Sequence, residues 1–355
     1  MWNIFGIADE KLHDKVHFLQ PVYHIVICDT IYNMQVDRQW STEQENQSSV
    51  TEFLLSGLMD NPKFNLLFFM IFLMMYLVTL VGNICMIVLT SCSPVLRNPM
   101  YFFLGHLSFS DLCYSSVITP RVLHAMLLDH MYISFQGCAT QLFFFALFVG
   151  AECFIVTAMS YDRFVAICKP LHYVIIMNKS FTLKLVGSAY GGGIITSIIH
   201  TSCTFRLSFC GPNAVNHFFC DIPPMLTLSC SDTFLSEFFM FLLSSVLGTI
   251  SAVIIMASYS KIILAMLGMH SSSGREKAFS TCSSHLMVVT LFFGTAIFVY
   301  ARPISSYSVQ KDKVISFVYT VVIPMLNPII YSLRNEQVKV AFVNLMYKAV
   351  QKKIN

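Results

Sequence analysis

Apolar residues along this chain form long, nearly uninterrupted stretches that are separated by short polar segments. A helix needs about 20 mainly apolar residues to cross the hydrocarbon core of a bilayer, and seven stretches meet that length. They predict transmembrane helices at residues 64–91, 99–127, 139–168, 181–204, 233–267, 277–300 and 313–333. The pattern therefore predicts an all-α membrane protein, a seven-transmembrane helix bundle.

A shorter amphipathic segment at residues 335–347 follows the last predicted span. One helical face of this segment carries Val338, Phe342, Leu345 and Met346. The segment is too short and too polar to cross a membrane, so we expect it to lie along the membrane surface. The predicted organisation is a tail at 1–63, the bundle at 64–333, and a second tail with the amphipathic helix at 334–355.

The composition supports a membrane protein. Only 12% of the residues are charged, whereas soluble proteins carry about 25%, so there is too little charge to cover a soluble surface. The net charge of +3 gives no reason to expect a nucleic-acid partner. The first fifteen residues contain acidic side chains and no apolar core, so no signal peptide is predicted. We expect the first span to act as the insertion signal.

Basic residues predict how the bundle is oriented. With the C-terminus in the cytoplasm, thirteen of the 22 Lys and Arg residues lie on the cytoplasmic side, which is the bias that membrane proteins show. We therefore expect a multi-pass plasma-membrane protein with an extracellular N-terminus and a cytoplasmic C-terminus. Asn46 begins an Asn-Gln-Ser glycosylation sequon in the extracellular tail, although such sequons are frequent by chance.

Four of the twelve cysteines cluster at the extracellular end of the predicted bundle. Cys138 begins the third span, and Cys210, Cys220 and Cys230 lie in the loop after the fourth. Four cysteines in an oxidising compartment can form two disulfides, but their spacing leaves three pairings open. The other eight lie mostly within predicted spans and are expected to be small packing residues.

Two carboxylates, Asp111 and Glu152, fall in the middle of predicted spans. An ionisable group at that depth is costly and indicates a functional site. Asn83 and Asn327 lie at comparable depths, so the four side chains form a polar centre if they converge. Two interpretations stay open: a bound cation such as sodium, which suits oxygen ligands, or protonated carboxyls that are only hydrogen-bonded. No other metal or cofactor is expected.

Two further groups indicate a conformational switch. Asp162 and Arg163 are adjacent at the cytoplasmic end of the third span, where a local ion pair would hold that end closed until a ligand releases it. Pro328 removes a backbone hydrogen bond from the seventh span. Asn327 beside it and Tyr331 one turn further on predict a polar hinge, with a static kink as the alternative.

The outer half of the predicted bundle is rich in aromatic side chains and poor in charge, which is typical of a small-molecule site. Phe145 lies at the depth where an amine receptor would need a carboxylate, so a small, apolar, neutral or weakly polar ligand is predicted. A transporter would show repeated halves, which this chain lacks. A metalloenzyme would need paired ligands, whereas His106 and His285 are isolated and are expected to pack or hydrogen-bond.

Five motifs occur in order along the chain. They are PMYFFL at 99–104, LSFSD at 107–111, MSYDRFVAIC at 159–168, KAFSTCSSHL at 277–286 and PMLNPIIYS at 324–332. Together they resemble the motifs of olfactory receptors, which are rhodopsin-like G-protein-coupled receptors. The resemblance extends over about residues 46–347 and identifies the chain as a member of that family.

The resemblance implies a function and a role for each matching residue. The chain would bind small volatile odorants and activate a stimulatory olfactory-type G protein that raises cyclic AMP, and it would not be an enzyme. The odorant pocket would be lined by Phe145, Ala146, Val149, Gly150, Ile297, Tyr300, Phe317 and Thr320. Switching and G-protein coupling would involve Asp162, Arg163, Tyr259, Asn327, Pro328 and Tyr331. Asp111 and Glu152 would form the intramembrane cation site. The disulfides would be Cys138–Cys220 and Cys210–Cys230.

The chain departs from the family pattern in two places. Phe292 and Phe293 stand in a segment where the family usually has tyrosine, which removes a hydroxyl near the floor of the pocket. The N-terminal tail is also longer than usual. Met34 would make a more ordinary start, so residues 1–33 are interpreted as an extension.

Overall fold

The computed structural model describes residues 50–56, 65–128, 131–210, 213–269, 271–300 and 309–354, which all fall within the unit Ser48–Asn355. Its long helices are α1 (Asn65–Cys92), α2 (Pro99–Leu128), α3 (Phe135–Cys168), α4 (Lys179–Phe205), α5 (Phe234–Leu267), α6 (Ser272–Tyr300), α7 (residues 309–334) and α8 (Glu336–Ile354). Short helical turns lie between them at Pro94–Leu96, Pro170–His172, Tyr173–Ile176 and Ile222–Thr227. The predictions for residues 1–49, including the Asn46 sequon, lie outside the described residues.

Within the described part of the chain, six helices are long and apolar enough to cross a membrane, namely α1, α3, α4, α5, α6 and α7. α2 has 30 residues but is more polar, because it carries His106, Asp111 and several serines. Large apolar side chains such as Leu66 on α1 and Met256 on α5 are exposed on the helix surfaces. Exposed apolar faces on hydrogen-bonded helices suit contact with lipid.

Each predicted span coincides with a helix, with bounds that differ by a few residues. The largest difference among the spans is in α6, which begins at Ser272, five residues before the predicted start. α8 begins at Glu336 and continues to Ile354, seven residues beyond the predicted end of the amphipathic segment.

The backbone of α7 changes its winding along its length. An α-helical part, Val309–Phe317, is followed by a π-helical part, Val318–Val322, and a second α-helical part, Ile323–Arg334. Pro324 has no N–H to donate to the carbonyl four residues earlier, and wider turns of this kind occur frequently at functional sites. The irregularity therefore lies one to two turns before Asn327 and Pro328, the residues of the predicted hinge.

The prediction of an all-α fold was incomplete, because the structure contains a small three-stranded sheet. β1 (Glu52–Leu55) pairs antiparallel with β2 (Met131–Ser134) and parallel with β3 (Ala214–Val215), in the order β2-β1-β3. Phe53 of β1 is fully buried, with its ring 5.3 Å from that of Phe209. Strands of two to four residues are too short to produce a recognisable alternation in the sequence.

α3 occupies the centre of the bundle and contacts α2, α4, α5 and α6. Its contact with α4 is a close approach of two backbones. A Cβ atom placed on Gly193 of α4 would lie only 2.5 Å from the carbonyl oxygen of Leu147. Ser197, one turn further on, donates a hydrogen bond to the carbonyl oxygen of Phe143 at 2.5 Å. Glycine at position 193 therefore fixes how closely α4 packs against α3.

Candidate functional site

A cavity of about 150 Å³ lies between α3, α4, α5 and α6, next to the loop that follows α4. Its walls are mainly apolar. Six of the eight residues predicted for the pocket line it: Phe145, Ala146, Val149, Gly150, Ile297 and Tyr300. A dry cavity of this size in another protein holds a benzene molecule, so the space suits a small apolar ligand.

The other two predicted pocket residues, Phe317 and Thr320, are not among those that line this cavity. Phe317 packs against Phe72 of α1, with the ring centres 5.0 Å apart. Thr320 is buried and donates its hydroxyl hydrogen to the carbonyl oxygen of Ser316 in its own helix. The lining residues come from α3, α4, α5, α6 and the loop after α4, so the position of α7 in the bundle keeps these two side chains out of the wall, and helical spacing alone does not predict that position.

An acid that the sequence analysis missed, Asp221, lines the same cavity. It comes from the loop after α4, and its carboxylate accepts hydrogen bonds from Tyr319 at 2.7 Å, from Tyr300 at 3.1 Å and from the backbone N–H of Ile222 at 2.8 Å. Burial raises the pKa of Asp221 to about 6 despite these donors. The only signal in the sequence is its position directly after Cys220, which fixes it next to α3.

Two disulfides hold that loop over the bundle. Cys138 at the start of α3 pairs with Cys220, with the Cα atoms 5.6 Å apart. Cys210 pairs with Cys230 within the loop, at 6.1 Å. These are the pairs that the family resemblance implies. The Cys138–Cys220 bond holds the adjacent Asp221 beside its hydrogen-bond partners, at the end of the cavity next to the loop.

The acid pair lies deeper in the bundle. Asp111 is fully buried and accepts a hydrogen bond from the side-chain amide of Asn327 at 2.9 Å. Glu152 is also fully buried, and neither of its carboxylate oxygens has a hydrogen-bond partner among the described residues. The side-chain oxygen of Asn83 is likewise without a partner there. Oxygen atoms without partners around two buried acids fit both a bound cation and protonated carboxyls, because either a cation or a proton offsets the cost of burying the charges.

The predicted ion pair is formed at the other end of α3. Nη2 of Arg163 lies 3.0 Å from Oδ2 of Asp162. Tyr173, in the short helix that follows, donates a hydrogen bond to Oδ1 of Asp162 at 2.8 Å. Arg163 is therefore held against its neighbour and does not extend away from α3.

The remaining predicted switch residues lie on α5 and α7, between that end and the middle of the bundle. The hydroxyl oxygen of Tyr259 on α5 lies 2.6 Å from Nδ1 of His285 on α6, so a hydrogen bond between these side chains connects the two helices. The hydroxyl of Tyr331 is buried and has no hydrogen-bond partner within the described part of the chain. Pro328 packs against α1 at Gly82, where a Cβ atom would lie 2.9 Å from the proline ring.

A helical bundle with a cavity beneath a disulfide-bonded loop, an acid pair at its centre and an Asp-Arg pair at its far end is typical of a membrane receptor. Residues 72–349 match the family model for olfactory receptors. The chain is 52% identical over 309 residues to Olfactory receptor 5AR1 of Mus musculus and to that of Homo sapiens, covering 87% of this chain and all of each relative. It is 50% identical over 308 residues to Olfactory receptor 5AP2 of Mus musculus, covering 87% of this chain and 97% of the relative.

The chain therefore belongs to the olfactory receptor family. Members of this family are G-protein-coupled receptors and not enzymes, in agreement with the prediction from the sequence motifs.

Proposed function

We propose that this receptor binds small volatile odorants in the cavity between α3, α4, α5 and α6. On binding, it activates a stimulatory G protein, which raises cyclic AMP. The observation that carries the proposal is the cavity itself. It is small and mainly apolar, and its polar groups lie at identifiable places in the wall, as in small-molecule sites generally. Phe145 of α3 lines it where an amine receptor would need an acid.

The hydrogen bonds of Asp221 further restrict the ligand. Its two oxygens already accept hydrogen bonds from two tyrosines and a backbone N–H, so the carboxylate is stabilised without a cationic ligand. A neutral odorant with a hydroxyl or carbonyl group is therefore favoured over an amine. Tyr300, which lines the cavity and donates to Asp221, is a polar side chain of the wall with which such a group can form a hydrogen bond.

Signalling would leave the bundle at the end that carries Asp162 and Arg163. The short helices after α3 expose three apolar side chains there: Leu171, Val174 and Ile175 are 90%, 78% and 71% exposed. Contiguous exposed apolar side chains beside charged residues are typical of protein-binding surfaces. We infer that this surface and a released Arg163 contact the G protein.

This mechanism needs seven membrane spans. We propose that α2 crosses the membrane in addition to α1, α3, α4, α5, α6 and α7. The polar side chains of α2 that lower its hydropathy are mostly buried: Ser108, Ser110, Asp111 and Ser115 are each at most 2% exposed. A helix that turns its polar side towards the bundle can cross a bilayer. The basic residues favour an extracellular N-terminus, and α8 is proposed to lie along the cytoplasmic surface.

We also propose that the acid pair binds a sodium ion. Asp111 and Glu152 would hold it, with the unsatisfied side-chain oxygen of Asn83 at a comparable depth. Two anions buried side by side are costly unless a cation or a proton is present. A sodium ion offsets one of the two negative charges and is bound by the carboxylate oxygens themselves.

An odorant panel applied to cells that express the receptor tests the proposed function. We expect dose-dependent cyclic AMP production for at least one small neutral odorant, and no response in cells that lack the receptor. A Phe145→Ala variant should change which odorants act, because it enlarges the cavity. A receptor that reaches the surface and yet answers no odorant, or whose odorant profile is unchanged by this substitution, would contradict the proposal.

A further inference from the structure

Tyr114 of α2 lies between the cavity and the acid pair, and it has no role in the function proposed above. Its side chain is 1% exposed. The hydroxyl group has two acceptors within hydrogen-bonding distance: Oδ1 of Asp111 at 3.4 Å and the main-chain carbonyl oxygen of Tyr319 at 3.3 Å. It also interacts with the carboxylate of Glu152. A tyrosine has a single hydroxyl hydrogen, so it makes one good hydrogen bond at a time.

One of these acceptors belongs to Tyr319, which contacts residues of the cavity wall. Tyr319 belongs to the π-helical part of α7, and its own hydroxyl donates to Asp221 at the top of the cavity. The ring of Tyr114 also meets Phe145 edge-on, with the centres 6.3 Å apart, and Phe145 lines the cavity and contacts the ring of Tyr319 at 5.9 Å. A ligand that displaces Phe145 or Tyr319 therefore acts on Tyr114 through its ring and through its acceptor.

The other acceptor belongs to the acid pair. Oδ2 of Asp111 accepts from Asn327, which leaves Oδ1 to Tyr114. At 3.4 Å the present contact is long. If the hydroxyl moves closer, Oδ1 becomes less available to a cation, so the Tyr114 hydroxyl and a cation compete for this oxygen. Neither oxygen of Glu152 has a partner within hydrogen-bonding distance in the described ranges, but its carboxylate interacts with the Tyr114 hydroxyl and the Asn327 amide, so Tyr114 acts on the acid pair as a whole.

We propose that Tyr114 is a positioning residue that couples the odorant cavity to the acid pair. In one state its hydroxyl donates to the carbonyl of Tyr319 and leaves Asp111 free to bind the cation. In the other state, favoured by a ligand that moves the π-helical part of α7, the hydroxyl donates to Asp111 and weakens cation binding. Ligand and cation thereby oppose each other, and the effect is reciprocal. The coupling rests on the proposed function of the cavity.

The first test compares Tyr114→Phe with wild type in cells that express the full-length receptor. Odorant-stimulated cyclic AMP is measured at equal surface level, with extracellular sodium chloride or with the chloride of a large organic cation. We expect sodium to raise the EC50 of the wild type. Tyr114→Phe should change the EC50 by about three- to tenfold, the range for one hydrogen bond, and should abolish most of its sodium dependence.

Tyr76→Phe is the matched control. It removes a hydroxyl from α1 that also bonds to an α2 side chain, Ser116 at 3.1 Å, but that contact does not involve the acid pair. Its EC50 and sodium dependence should equal those of the wild type. The same result for Tyr114→Phe would overturn the proposal.

Asp111→Asn completes a double-mutant cycle. If Tyr114 acts through Asp111, adding Tyr114→Phe to Asp111→Asn should leave the EC50 nearly unchanged, because contacting residues are not additive. Independent, additive shifts would mean that Tyr114 has only a packing role, and would overturn the coupling.

A measurement on purified receptor separates this inference from the proposed function. Sodium should raise the Tm of wild type, raise that of Tyr114→Phe by more because the competing donor is gone, and leave that of Asp111→Asn unchanged. Equal sodium shifts in wild type and Tyr114→Phe would overturn the inference, whatever the odorant response. A wild type that no odorant activates would overturn the proposed function, and with it the link from Tyr114 to the cavity.

Discussion

Replacing Gly193 by alanine should disturb the contact on which the cavity depends. The added Cβ atom would lie 2.5 Å from the carbonyl oxygen of Leu147 and 3.1 Å from the backbone nitrogen of Ala151. Both neighbours are backbone atoms of α3, so neither can rotate away. Gly193 also lies directly behind Gly150 of the cavity wall, whose own Cβ position is 3.2 Å from the Cα atom of Gly193. A shift of α4 therefore changes the cavity.

The magnitude follows from the contact distance. Non-bonded carbon atoms are most stable at about 3.5–4.0 Å, so α4 must move away from α3 by roughly 1 Å to accept the methyl group. Overpacking of this kind costs about 1–3 kcal/mol. A loss of about 1–2 kcal/mol changes the cellular amount of a protein several-fold, so we expect Gly193→Ala to lower surface expression by that factor and to lower the Tm of purified receptor.

Gly187→Ala on the same helix is the control, because a Cβ atom there meets nothing within 4 Å. Alanine is favoured over glycine inside a helix by up to about 1 kcal/mol, so this variant should match or exceed wild type in surface level and Tm. At equal surface level, Gly193→Ala should also show a changed odorant EC50, and Gly187→Ala should not. Equal behaviour of the two variants would refute the close packing of α3 and α4.

Three further predictions concern signalling. Arg163→Ala should abolish odorant-stimulated cyclic AMP at unchanged surface level, because a neutral side chain cannot carry the contact to the G protein; a preserved response would contradict the switch. Leu171→Asp should reduce the maximal response several-fold without changing odorant binding, since it places a charge on the exposed apolar surface, and normal coupling would exclude that surface. Burial raises the pKa of Asp221 to about 6, so the carboxylate takes up a proton as the external pH falls through that value. Its hydrogen bonds from Tyr300 and Tyr319 then lose their charge assistance, and the EC50 at pH 5 should exceed that at pH 7.4 by about threefold. Asp221→Asn should lack this pH dependence and His200→Gln, which alters another polar residue of the cavity wall, should retain it; dependence that persists in Asp221→Asn would contradict the assignment.

The sequence predicts the long helices well because their apolar stretches are set by the thickness of a bilayer, a constraint that needs no knowledge of tertiary contacts. The sequence also identifies Asp111, Glu152 and Asn327 as candidate site residues, because polar groups in the middle of an apolar span are rare and costly. Asp162 and Arg163 are adjacent in the chain, so their ion pair is a local interaction that can be read directly from the sequence.

The features that the sequence does not predict depend on contacts between distant segments. In the sequence, Asp221 does not differ from other acidic residues in loops. Its role depends on the Cys138–Cys220 disulfide, which holds it against Tyr300 and Tyr319. Phe317 and Thr320 lie outside the cavity wall because of how α7 packs in the bundle; Phe317, for example, contacts Phe72 of α1, and helical periodicity does not reveal a contact between such distant segments. The strands of the small sheet are stabilised by pairing between segments about 80 residues apart or more, which no local pattern encodes.

The central claim is that an odorant acts by occupying the cavity beside α3, and Ala146→Phe tests it most directly. Ala146 lines the cavity, and a phenyl ring is about as large as the benzene molecule that such a space accepts. The measurement is the cyclic AMP dose–response to one activating odorant for wild type and Ala146→Phe at matched surface level. We predict that the variant loses the response or needs at least about tenfold more odorant, the effect of losing about 1.4 kcal/mol of binding free energy. An unchanged dose–response curve would show that the odorant binds elsewhere and would contradict the claim.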